Sequence, residues 1–135
     1  MPSYITGLPS QLPKTNPMAE DASAALVYSW LSVILSKVEA AAIRAEQLTF
    51  SGLDDGQSVA DLLHTLAIDL ASAESRAQLA LTVYNQRAAL MAADPSNDAG
   101  ARRCLKDIER QLANIRASIV FSNRIATQTL QFPAE

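Results

Sequence analysis

His64 is the only histidine in the 135-residue chain, and Cys104 is the only cysteine. Any catalysis that needs an imidazole base or a thiol nucleophile rests on these two residues. Asp61 precedes His64 by one helical turn, a spacing that lets a carboxylate orient the ring or share a metal with it. No second histidine, Glu-x-x-His or His-Glu-x-x-His accompanies the pair. Histidine with a single carboxylate falls short of a zinc or di-metal ligand set. Arg103 and Lys106 flank Cys104 near the start of a helical pattern, a setting that lowers a thiol pKa. A nucleophile also needs a base, and no histidine stands at a fixed spacing from it. The reading these residues support is a surface histidine beside Asp61 and a partly buried packing cysteine. No catalytic residue, metal or cofactor is expected.

Glu20, Glu39, Glu46, Glu74 and Glu109 mostly fall off the apolar stripes, as solvated residues do. The four glycines, at 7, 52, 56 and 100, build neither a G-x-G-x-x-G loop nor a Walker loop. Arg102, Arg103, Lys106, Arg110 and Arg116 form a basic face. Residues 1–98 hold five Lys/Arg against eleven Asp/Glu, whereas residues 99–135 hold six against three. Phosphate contact is one use of such a face. The absence of interleaved aromatic residues, together with Asp107 and Glu109 inside the run, weighs against nucleic acid. An acidic protein surface, in the same chain or another, is the better match.

The elements that carry these residues are helices. Leu105, Ile108, Leu112, Ile115 and Ile119 recur at spacings of three and four, which places them on one helical stripe. Ala24, Val27, Leu31, Ile34, Val38, Ala41, Ala45 and Leu48 form a second stripe. Val59, Leu63, Leu66, Leu70, Ala73, Ala77, Ala80 and Tyr84 form a third. Few aromatic and β-branched residues and few glycines argue against a sheet. Much of the apolar content is alanine, so the core should be thin and spread along the helices.

Asn16-Pro17 predicts the start of a first helix running to Phe50, with Ser51-Gly52 ending it. A second helix is expected from a cap at Asp54, Asp55 or Ser58 to about Ala93. Asp94-Pro95-Ser96-Asn97-Asp98 separates it from a third helix, capped by Asp94 or Ser96 and running to about Gln131. Short connections make consecutive helices antiparallel. The expectation is an all-α, elongated, antiparallel up-down-up bundle of three long helices, completed by oligomerisation. Residues 1–16, with Pro2, Gly7, Pro9 and Pro13, read as an extended arm, and residues 17–135 as one domain.

Two stretches are apolar most of the way round the helix. One is Leu26, Tyr28, Trp30, Val33 and Leu35. The other is Val120, Phe121, Ile125, Leu130 and Phe132. Three helices cannot cover each other on all sides, so Tyr28, Trp30, Val33, Val120, Phe121 and Ile125 are the expected partner-binding residues. The partner would be a second copy or another helical protein, and Trp30→Glu would release monomers without melting the helices. The arm bearing Tyr4, Ile5, Leu8 and Leu12 is the competing cover.

Ala92-Ala93-Asp94-Pro95-Ser96-Asn97, set between two helices, resembles the turn of type III secretion needle subunits. Ser122-Asn123 and the final apolar tail are also similar to that family. The likeness covers about forty residues of the chain. It implies a secretion-associated filament subunit or chaperone. The chain departs from the family in its extra long first helix and in Arg102-Arg103, where the family tends to be apolar.

The function expected from the sequence is a non-enzymatic interaction or assembly module, with a small-ligand or metal-binding bundle at His64 and a nucleic-acid-binding regulator as alternatives. No secretory signal pattern is visible, and Ala24–Leu35 is too short an apolar run to span a bilayer. A cytoplasmic location follows as the expectation, with signal-less secretion left open.

Overall fold

Asp94 fixes the start of the longest helix. Its carboxylate accepts from the Asn97 backbone N–H at 3.3 Å and from the Asn97 side-chain amide at 2.9 Å. Pro95 follows at the first helical position, where its missing N–H costs nothing. The computed structural model describes the backbone of residues 16–54 and 58–131, and the side chains of 16–50 and 58–125. Four helices occur in it: α1 (Ala24–Asp54), α2 (Val59–Gln86), α3 (Ala88–Ala92) and α4 (Pro95–Gln131). No strand occurs among the described residues. The 37 residues of α4 make a rod of about 55 Å at 1.5 Å per residue.

The three long helices all pack on one another, with α1 against α4 the most extensive pair. Side-chain contacts give the directions. Ser32 meets Cys104 and Phe50 meets Phe121, so α1 and α4 run parallel. Glu74 pairs with Arg116, and ten residues further on Tyr84 meets Asp98 and Arg102, so α2 runs antiparallel to α4 and hence to α1. This is the expected up-down-up bundle.

The core is the thin, alanine-rich seam the stripes describe. Val27, Leu31, Ile34, Val38, Ala41 and Ala45 are buried on α1, and Ala101, Cys104, Ile108, Leu112 and Ile115 on α4. Leu48, Leu105 and Ile119 pack at its edges. The α2 stripe is turned by one residue from the expectation. Leu62 and Val83 are buried, along with Leu66, Ala73 and Ala80, while Leu63 and Tyr84 are only half-buried. Adjacent Leu62 and Leu63 leave the period ambiguous there. At the other end, the hydroxyl of Tyr84 keeps its side chain at a polar edge.

Three boundaries also differ. The first helix begins at Ala24, not Pro17. Asn16 caps a turn instead, accepting from the Met18 N–H at 2.9 Å, and bonds from Ala19 to Asn16 and from Ala22 to Ala19 continue that turn. Ser23 is the helix cap, its Oγ accepting from the Leu26 N–H at 3.1 Å. Gly52 does not end α1, whose backbone continues to Asp54. A single glycine costs a helix only about 1 kcal/mol. The second helical segment is interrupted at Arg87, whose φ of −104° and ψ of 20° lie in the bridge region. No glycine or proline in Asn85-Gln86-Arg87-Ala88 announces that break. Ser58 proves to be the cap of α2, through the Asp61 N–H.

Gly100 serves the α1–α4 contact. The Tyr28 ring lies over it so closely that a Cβ at position 100 would sit 2.6 Å from Tyr28 Cζ. The arm residues Tyr4, Ile5, Leu8 and Leu12, the alternative cap Asp55, and Phe132-Pro133 lie outside the described residues, as do the side chains of Asp54 and Leu130.

Candidate functional site

The parallel register of α1 and α4 brings the C-terminal halves of both helices together. Phe50 and Phe121 pack with ring centroids 6.0 Å apart and planes tilted by 45°. Both remain open to solvent, Phe50 at 56% and Phe121 at 40% exposure. Ile43, 56% exposed, extends the apolar surface along α1. Beside the aromatic pair runs a groove of about 380 Å³ with Ala42, Thr49, Asn114, Ala117 and Ser118 in its lining. Small side chains produce the depression and the phenyl rings produce its wall.

The polar groups in the groove are mild. The Thr49 hydroxyl is buried and donates to the Ala45 carbonyl at 2.8 Å, so it is satisfied within its own helix. Gln111 and Asn114 bond to each other at 3.1 Å. Glu46 is the one charged residue among the described residues that line the groove. The deeply buried Ser122 lies beside Phe121, with no hydrogen-bond partner for its Oγ among the described residues.

The structure divides the six partner-binding candidates. Trp30 is corrected outright: it is 6% exposed and belongs to the chain's own core. Its angular offset from Leu31 and Ile34 does not expose it, because the α1 start is enclosed on more than one side. Pro17 and Ala22, in the turn before the helix, are buried, and Met18 packs against the core. Tyr28 is half-buried over Gly100, and Val33 is half-buried. Val120 and Phe121 are exposed, and Ile125 is half-buried. Phe121 meets the end of α1 through Phe50, and the start of α1 lies at the opposite end of the parallel pair.

Sequence reasoning missed Ile43 and Phe50. The signal was present in their seven-residue spacing, which puts them on one side of α1 away from its seam. The sequence expectation makes Phe50 only the last residue of the first helix, ahead of the Ser51-Gly52 stop.

The basic face is largely neutralised within the chain. Arg116 donates to Glu74 of α2 at 2.9 Å, and Arg110 pairs with Asp107. Arg102 donates from Nε to the Tyr84 hydroxyl at 3.0 Å and forms an ion pair with Asp98, Nε to Oδ2 3.0 Å. Arg103 and Lys106 make no ion pair among the described residues. Three of the five cations therefore already face carboxylates.

Tyr84 completes a polar clasp between the end of α2 and the start of α4. Its hydroxyl donates to Asp98 Oδ1 at 2.5 Å. Burial raises the Tyr84 pKa above the ordinary tyrosine value, and the hydrogen bond to Asp98 raises it further. A group whose folded pKa is raised lends stability at low pH and loses it as the pH climbs from the unfolded value towards the folded one. The expected result is an alkaline loss of stability beginning near pH 10, the ordinary tyrosine range. Tyr84→Phe should flatten that arm of a stability-versus-pH curve. It should also cost about 1–2 kcal/mol at neutral pH by leaving Asp98 one donor short. An unchanged alkaline arm in denaturant titrations would refute the clasp.

His64 and Asp61 are both exposed on α2. No group of three or more His, Cys, Asp or Glu able to hold a metal occurs among the described residues. Cys104 is buried, with its Sγ 3.6 Å from Ser32 Oγ across the α1–α4 seam.

Compared with protein-family models, curated proteins and solved structures, the chain matches none. The turn that resembles needle subunits is accounted for locally, by Asp94 as cap and Pro95 at the first helical position. Residues Ala24–Phe50 of α1 are long and apolar enough, by length and composition, to cross a membrane, with a mean hydropathy of 1.5. The alanines after Leu35 extend the short run read from sequence. The core helix of a bundle passes the same test, and the seam of α1 is buried in this one.

Proposed function

We propose that the protein is a non-enzymatic interaction module that receives an amphipathic helix in the groove between α1 and α4. The observation that carries this reading is the solvent-facing Phe50–Phe121 pair, with Ile43 beside it in the groove lining. Clustered apolar side chains around a concave surface are the usual mark of a binding site. Helix-in-groove recognition needs this combination of a shallow trough, apolar walls and a polar rim. The burial of Cys104 and the exposed, isolated position of His64 favour binding over catalysis. The pairing of Arg102, Arg110 and Arg116 within the chain leaves little free charge for a phosphate backbone.

A photo-crosslinking residue introduced at Ile43, at Phe121 and, as a control, at the exposed Ser75 of α2 tests the reading in the producing cell. Adducts are expected from positions 43 and 121 and not from 75. Phe50→Asp should abolish them while circular dichroism shows the helices intact. Equal labelling at all three positions, or none at the groove, would overturn the proposal. Mass spectrometry of the adduct identifies the occupant.

A further inference from the structure

The α1 rim of this groove alternates acid and hydrocarbon. Glu39, Ile43, Glu46 and Phe50 follow one another at steps of four, three and four residues. They therefore share one face of α1, over about 16 Å at 1.5 Å per residue. Ile43, Glu46 and Phe50 line the groove, and Glu39 stands one turn before it. Glu46 is exposed and Glu39 half-buried, and neither carboxylate meets a cation among the described residues. Asp69, Glu74, Asp98 and Asp107 each face an arginine of the chain; the two rim acids do not. Across the groove the α4 wall is neutral, with Gln111, Asn114 and Ser118 as its polar members. The cations that bracket this stretch of α4 are Arg110, paired with Asp107, and Arg124, one turn past Phe121; neither lines the groove.

We infer that the groove selects a basic amphipathic helix of a partner protein, one whose docking seam alternates apolar residues with Lys or Arg at three- and four-residue steps. The inference rests on the proposed groove reading and adds the partner's charge to it. A helix lying along α1 repeats its own face at the same three- and four-residue steps. Apolar side chains set against Ile43 and Phe50 therefore bring the residue between them to the level of Glu46. A carboxylate at that level meets like charge. A neutral side chain strips water from Glu46 and returns no charge, which makes the burial costly. Lysine and arginine answer the carboxylate with a charge-assisted hydrogen bond and lay their aliphatic stems on the neighbouring phenyl surface. Glu39 calls for a second cation seven residues from the first. The apolar residues then supply affinity, and the two acids discriminate among helices with the same apolar seam.

Three synthetic helices of about 21 residues, or three heptads, test this on the full chain by fluorescence anisotropy. They share one apolar seam and carry Lys, Gln or Glu at its charged positions. The Lys peptide is expected to bind on the order of 100-fold more tightly than the Glu peptide, with Gln between them. Its affinity should fall as salt is raised. A chain carrying both Glu39→Lys and Glu46→Lys should reverse the order. A chain carrying Glu20→Lys and Glu109→Lys, exposed acids outside the groove, changes net charge equally and should preserve it. Circular dichroism verifies the folding of both. Equal affinity for the three peptides overturns the inference. So does an order that survives the groove variant, or one that the control variant reverses as well. A wild-type dimer that the Lys peptide fails to dissociate in sedimentation would seat a second copy in the groove and overturns the inference too. Failure of the Lys peptide to bind at roughly 500 µM, the edge of weak recognition, has the same consequence. If position-43 crosslinks that Phe50→Asp abolishes persist in that case, the groove reading stands without the charge preference; their absence removes both.

Discussion

Trp30→Glu is expected to unfold the protein. The indole is 6% exposed within the core that joins α1 to its neighbours. Truncating a buried tryptophan costs about 3–5 kcal/mol through lost transfer energy and the cavity left behind. A carboxylate there adds a buried charge with no partner designed for it, at a further cost of several kcal/mol. Folded domains have only about 5–15 kcal/mol to lose. Far-UV circular dichroism at 25 °C should show collapse of helicity, and Trp30→Phe should retain most of it by filling much of the volume. A folded, fully helical Trp30→Glu protein would return Trp30 to the surface and restore the reading taken from sequence alone.

Ile115→Ala is the second large effect. Ile115 is fully buried on α4, between Leu112 and the half-buried Ile119. The expected loss is about 2–5 kcal/mol, with the upper part of the range applying if rigid helices prevent the cavity from closing. Val120→Ala, five residues on and exposed, should stay within about 0.5 kcal/mol, as surface changes do. Urea titrations of the two variants separate the sides of α4 clearly. Similar midpoints for both would mean that α4 does not present its stripe to α1 and α2.

Much of the bundle was legible because period alone decides it. The stripes on α1 and α4 recur at three- and four-residue steps, and most of their residues are buried, with Leu48, Leu105 and Ile119 at the edge. The α2 stripe was shifted because Leu62 and Leu63 are neighbours and alanine marks its path only faintly. Capping chemistry placed Asp94 correctly and misplaced the first helix, where Asn16 and Ser23 offer equivalent oxygens. The candidate site was half legible. Apolar excess pointed to Val120 and Phe121, but it also pointed to Trp30. Angular offset on one helix does not say how many sides its neighbours cover. Phe50 was hidden by the glycine behind it, and the groove between helices is a property of register, which no single segment encodes.

The Tyr84–Asp98 clasp joins residues only 14 apart, whereas the Ser32–Cys104 contact spans 72. Closing a short loop costs less entropy than closing a long one, and local contacts form early. The neighbouring pairs, α2 with α4 and α1 with α2 through Arg44 and Asp69 25 residues apart, are thus expected to form before α1 meets α4. The groove then comes into being only in the final step, because one of its walls belongs to α1. Partly folded chains would lack the surface altogether. Assembly through it would select completed molecules, so that association is itself a proofreading of the fold.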